Sequence, residues 1–265
     1  MKTTEKLAVF AQLFRRELFV YRYRLQRYFI NYLLIYPFLY SVCFGYLQAK
    51  TYFGTSASTT GTLSFAGVGL IMMMITAYRT TFDVFHDLLD YKNIVYRVTV
   101  SSIPIALAQH LLFGWILSTL LMLPFYPTAY LLAGSVFNMS NTNWYALALI
   151  IIIGCLCCVS YHLLAAICLT RIEHTSTFWF RGNFVMLVFG GAWIPHYVIQ
   201  TVFPAVGYFT YALPITYISD GLRQAIIGGP QFMSLSICIP MLLLFSCAFI
   251  KLSAYALKKR LDLVG

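Results

Sequence analysis

The chain has 265 residues, 60% of them hydrophobic and 10% charged, with 18 Lys and Arg against 8 Asp and Glu for a formal net charge of +10. So few charges cannot cover a water-soluble globule of this length, which makes lipid the main solvent and excludes a soluble enzyme fold. The positive balance does not signal nucleic acid: 13 of the 18 basic residues fall in alternate gaps between six long apolar stretches, Arg79, Arg181 and Lys251 stand at the ends of stretches that border those gaps, and only Lys50 and Arg223 fall in the others, the pattern of a polytopic membrane protein whose basic loops and both termini face the cytoplasm.

The opening, MKTTEKLAVFAQLFRREL, has neither a continuous apolar run nor a small-residue cleavage site, so the first span is expected to act as its own insertion signal. Residues 1–27 place Leu7, Phe10, Leu13, Phe14, Leu18 and Tyr21 at helical spacing among Arg15, Arg16, Arg22, Arg24 and Arg27. That spacing predicts an amphipathic helix lying along the cytoplasmic surface, with a plain basic flank that sets topology as the alternative.

A bilayer core about 30 Å thick calls for about 20 apolar residues per helix, and on that measure the predicted spans are 28–47, 62–82, 104–125, 144–169, 180–199 and 233–255. Gly61, Gly67 and Gly69 open the second span and permit close helix contact. Residues 83–103, DVFHDLLDYKNIVYRVTVSSI, are the most charged internal segment and are assigned to the cytoplasm. On a helix Asp83, Asp87 and Asp90 form one stripe and Val84, Leu88 and Tyr91 the next, a surface able to meet a polar partner while anchoring to the bundle; a solvated loop whose acids balance Lys92 and Arg97 is the other reading.

Pro104 suits the start of the third span. Residues 195–230 are apolar yet contain Pro195, Pro204, Pro214 and Pro230 with Gly207, Gly221, Gly228 and Gly229. One continuous helix is excluded there, and short re-entrant helices over 200–230 are expected, since irregular backbone at membrane depth must be covered by protein or a wet cavity. The whole chain, 1–265, reads as one all-α integral membrane domain.

Chemistry-bearing motifs are sparse. There is no G-x-x-x-x-G-K-[ST], H-E-x-x-H or G-x-S-x-G, so no nucleotide, zinc-protease or serine-nucleophile site is expected. The seven cysteines all lie in apolar stretches and read as small buried thiols rather than soft-metal ligands. His110 and His162 are the available ionisable groups near mid-membrane; a hydrogen-bonded structural role is the reading for both, and an ion-coupled secondary transporter of a hydrophobic solute is the alternative function they leave open. Asp220 and Arg223, at i and i+3, allow a charge pair within the broken stretch, read as structural in preference to a direct cargo contact.

The most specific piece of sequence is Ala212 to Arg223, ALPITYISDGLR, which is similar to the N-P-L-T-Y-x-x-D-x-L-R pattern of ABC-2 type exporter permeases, with Leu213 in place of the usual Asn. The stretch TAYRTTFDVFHDLLDYKNIVYRVTVSSIP resembles the connection after the second span in their drug, lipo-oligosaccharide and polysaccharide export branch, although Asp90, Tyr91, Lys92 and Asn93 replace its common acidic-Gly-Thr sequence. The resemblance covers the whole chain. It implies a non-enzymatic permease subunit, most simply a homodimer in the inner membrane, that exports a glycolipid or polysaccharide, a lipid or a hydrophobic drug. It also implies two copies of a separate ATPase that hold ATP and Mg, no cofactor in this chain, and a coupling helix formed by Val84, Phe85, Asp87, Leu88, Asp90, Tyr91, Lys92 and Asn93.

Overall fold

The computed structural model describes residues 3–40, 42–43, 47, 57–89, 93–133, 139–171 and 173–262, and among them every regular element is a helix. The chain opens with α1 (Thr3–Ile30), which runs through a π turn (Asn31–Ile35) into α2 (Tyr36–Tyr40). The helix therefore does not break at the expected boundary near residue 27, because no Gly or Pro stands between Thr3 and Ile30 to end it. The outer half of the first expected span, beyond Tyr40, lies largely outside the described residues.

Among the described residues four helical stretches are long and apolar enough to cross a membrane: Gly61–Thr81, Ile103–Leu132, Trp144–Cys168 and Leu235–Leu261. The first lies within α3 (Ala57–Leu89), whose last two turns continue past the apolar part. After α4 (Asn93–Val100), the second combines α5 (Ile103–Met122) with α6 (Phe125–Ala133). Pro104 sits in the first turn of α5, where a missing N–H costs nothing. The third is α7 (Trp144–Cys168), capped by the Asn143 side chain, which accepts from the Ala146 N–H at 3.1 Å. The fourth is α13 (Leu235–Asp262), which carries Pro240 near its start.

The expected fifth span, 180–199, is not one helix. Helical backbone begins six residues earlier with α8 (His174–Phe178), passes through a π turn (Trp179–Phe184) and ends with α9 (Val185–Phe189). Gly191, at φ +86°, turns the chain into a conformation a side chain would resist, and Pro195 then opens α10 (His196–Val202). Proline also opens α11 (Pro204–Thr210) and α12 (Pro214–Ile226), so the breakers read from the sequence mark real helix starts.

The main core gathers α3, α5, α6, α7, α12 and α13 around Phe65, Met72, Met73, Phe125, Tyr126, Ile150 and Ile218, all fully buried. Glycine permits its closest contacts: a Cβ on Gly69 would lie 1.8 Å from the Tyr126 hydroxyl, which instead donates to the Ala66 carbonyl at 2.9 Å. A second, smaller core closes one end of the bundle, where Val84 of α3, Ile94 of α4, Leu107 of α5, Leu163 and Ile167 of α7 and Leu257 of α13 meet.

Candidate functional site

Two places hold the polar groups that an apolar bundle would not keep without use. The first is α12, a short helix with almost every side chain buried although it carries Thr216, Ser219, Asp220 and Arg223. It is encased by α3, α7 and α13, and its hydroxyls and charges reach backbone groups, most of them at helix ends and in turns. Thr216 donates to the Thr210 carbonyl at 2.8 Å and Ser219 to the Gly190 carbonyl at 2.7 Å. Arg223 donates from Nη2 to the Ala192 carbonyl at 3.2 Å and from Nε to the Leu63 carbonyl at 3.4 Å, while Asp220 Oδ2 accepts from the Met233 N–H at 3.4 Å.

The two charges form a pair within the helix, Arg223 Nη1 lying 3.9 Å from Asp220 Oδ1, with side chains 0% and 1% exposed. That distance is electrostatic contact rather than a hydrogen bond. Gly67 makes the arrangement possible, since a Cβ there would lie 1.8 Å from the Ala192 oxygen and 2.8 Å from Arg223 Nη2. Chemically, α12 pins the end of α9, the turn after α11, the start of α13 and the start of α3 to one buried helix.

The second place is the end of the bundle closed by the smaller core. Val84, Phe85, Asp87 and Leu88 occupy the last two turns of α3 and Asn93 opens α4, while Asp90, Tyr91 and Lys92 lie outside the described residues. Val84 is buried against Ile94, Leu107, Leu163, Ile167 and Leu257. The structure therefore ties the end of this segment to three of the long helices beyond α3.

One of the two readings of residues 83–103 makes Arg97 a counter-charge for the acids beside it. In the fold it is 3% exposed and donates from Nη2 to Glu17 Oε1 at 2.6 Å, eighty residues away, a partner the local sequence does not suggest. Its Nη1 donates to Gln109 Oε1 at 3.1 Å and to His110 Nε2 at 3.3 Å; a guanidinium only donates, so His110 accepts there. Gln109 Nε2 closes the network onto Glu17 Oε1 and the Leu13 carbonyl, both at 3.4 Å. The available signal was Glu17 itself, an acid at the turn next to Arg15 and Arg16, which are exposed where Glu17 is buried.

The second histidine is equally engaged. His162 Nδ1 lies 2.7 Å from the Cys158 carbonyl, so it donates and leaves Nε2 to accept from Asn183 Nδ2 at 3.1 Å, in the π turn after α8. Rings of Tyr78, Tyr161 and Phe178 surround it at 5.1 to 6.3 Å between centroids. Both histidines thus serve structure by geometry. Among the described residues no group of three His, Cys, Asp or Glu is placed to hold a metal ion, and Cys158 Sγ turns to Met74 Sδ at 3.8 Å.

Residues 9–227, from the second turn of α1 to one residue past α12, match the family model described as ABC-2 type transporter. No curated protein and no solved structure gives a significant match. Both places lie within the matched region apart from Met233 and Leu257, and that region is well over half of the chain. An all-helical bundle with four membrane-length helices among its described residues, packed around the buried Asp220 and Arg223 of the ALPITYISDGLR segment, is thus a multi-pass membrane protein of the ABC-2 type transporter family.

Proposed function

We propose that this permease exports an amphipathic cargo across the cytoplasmic membrane, driven by ATP hydrolysed on a separate subunit. As an ABC-2 membrane domain, the matched region is the transport part of an ABC exporter and pairs with an ABC ATPase rather than binding nucleotide itself. The observation that carries the fuller reading is the family match together with the way the segment after the second span is built. The end of α3 and α4 share one apolar cluster with three other long helices, so a push delivered there cannot be absorbed locally.

In this reading two permease chains form a homodimer with two ATPase subunits beneath them, in the inner membrane, with both termini cytoplasmic. ATP draws the ATPases together and shifts the population of permease states. Val84, Phe85, Asp87, Leu88, Asp90, Tyr91, Lys92 and Asn93 receive the movement, and the Asp220–Arg223 pair keeps α10–α12 assembled at re-entrant depth while the long helices shift. Cargo of the glycolipid, polysaccharide, lipid or hydrophobic drug class fits a protein with this much aromatic and aliphatic surface, with glycolipid or saccharide first. Purification in mild detergent tests the scheme: a nucleotide-binding protein recovered in one-to-one ratio supports it, and lipids in the same sample identify the cargo class. A chain that moves cargo alone in vesicles, without a motor, overturns it.

A further inference from the structure

The segment that faces the ATPase in this reading has a second attachment, and it is polar. Ile94 and Arg97 stand one turn apart on α4, a helix of only eight residues. Ile94 enters the smaller core. Arg97 enters a buried cluster supplied by two other helices: Glu17 and the Leu13 carbonyl of α1, and Gln109 and His110 of α5. Phe14 of α1 meets Phe113 of α5 edge-on at 6.0 Å beside it.

We propose that Arg97 and Glu17 are positioning residues that bind α1, α4 and α5 into one moving unit, so that displacement of the ATPase-facing segment reaches the N-terminal helix through this ion pair. The physical reason is the burial. At 3% and 8% exposed, neither charge can part from the other and find water, so separation would strand the buried Glu17 carboxylate away from its guanidinium. Apolar contacts between α4 and its neighbours could slide by a rotamer; a guanidinium that holds a carboxylate, an amide and an imidazole at once cannot. Gln109 reinforces the lock because it accepts from Arg97 and donates to Glu17, orienting both partners. The last turn of α4 is closed as well by Ser101, whose hydroxyl and N–H both donate to the Arg97 carbonyl at 2.7 and 2.9 Å.

This inference rests on the proposed ATPase drive, and the test separates the two. The full chain is purified with its ATPase, and hydrogen–deuterium exchange is followed in residues 3–30, 84–100 and 103–122 with and without ATP and orthovanadate. In the parent complex nucleotide changes exchange in all three segments. In Arg97→Gln and in Glu17→Gln the change persists over 84–100 and falls about fivefold or more over 3–30, the size of a lost coupling between sites. The charge exchange E17R/R97E returns it toward the parent value, an outcome that distinguishes coupling from bare stability and stands in for any single variant that fails to fold. An undiminished response over 3–30 in both single variants, or a parent complex that responds over 84–100 but not over 3–30, overturns the proposal. A chain that purifies without an ATPase defeats the driving scheme itself.

Discussion

Removing the Arg223 guanidinium tests whether the buried pair holds the fold or touches cargo. In Arg223→Met the Asp220 carboxylate, 1% exposed, keeps its place without a counter-charge, a loss of about 3–5 kcal/mol for a buried pair broken on one side. The Ala192 carbonyl, which accepts from Arg223 at 3.2 Å, loses its donor and adds about 1–3 kcal/mol. At roughly 2–4 °C per kcal/mol for a chain of this size, the melting temperature should fall by about 10 °C or more. Asp220→Asn should cost less, because the amide still accepts from the Met233 N–H and Arg223 keeps its two carbonyls. The double variant Asp220→Asn/Arg223→Met should be less damaging than the sum of the two, since no lone charge remains. Melting can be followed through Cys155, Cys157, Cys158 and Cys238, buried free thiols that a maleimide dye reaches only on unfolding, once exposed Cys43, Cys168 and Cys247 are replaced by serine. An Arg223→Met protein that melts within about 2 °C of the parent yet no longer transports would refute the structural role and make the pair a cargo contact.

Glycine substitutions offer an independent check on the same packing. Gly67→Ala and Gly69→Ala would each set a Cβ 1.8 Å from an oxygen, of Ala192 and Tyr126 respectively, and should lose at least the roughly 1–3 kcal/mol of an overpacked core. Gly228→Ala meets no atom within 4 Å but must hold φ +73°, at about 1–2 kcal/mol; equal melting temperatures for all three would discredit the contacts. At the other end of the bundle, the charge reversal Asp87→Lys/Asp90→Lys should leave insertion and assembly intact and lower cargo moved per ATP hydrolysed. Unchanged transport by that variant would remove these two acids from coupling.

Much of this architecture is legible in order along the chain. The 25 residues of α7 match their predicted span to within a residue, because an unbroken apolar run between an Asn cap and a basic turn leaves a helix no other place to begin or stop. Pro195, Pro204 and Pro214 likewise mark the breaks before α10, α11 and α12, since proline is best accommodated at a helix start, where its missing N–H costs nothing. The fifth span is not one helix because Gly191 adopts a left-handed turn, a backbone feature that a hydropathy count over 180–199 does not see. The Arg97 pairing escapes the local sequence for a related reason: charge balance over residues 83–103 carries no trace of Glu17, eighty residues earlier.

Composition and periodicity alone determined that this protein lives in lipid, that it is helical, where most helices start, and that α12 carries an acid and a base one turn apart. These are properties of single segments, set by the chain's own backbone and its transfer into lipid. Only the tertiary structure decided which buried charges are partners, which glycines let helices touch, and that α1, α4 and α5 share one polar cluster. Such pairings depend on which segments become neighbours, and in a bundle of similar apolar helices that choice is made by side chains far apart in sequence.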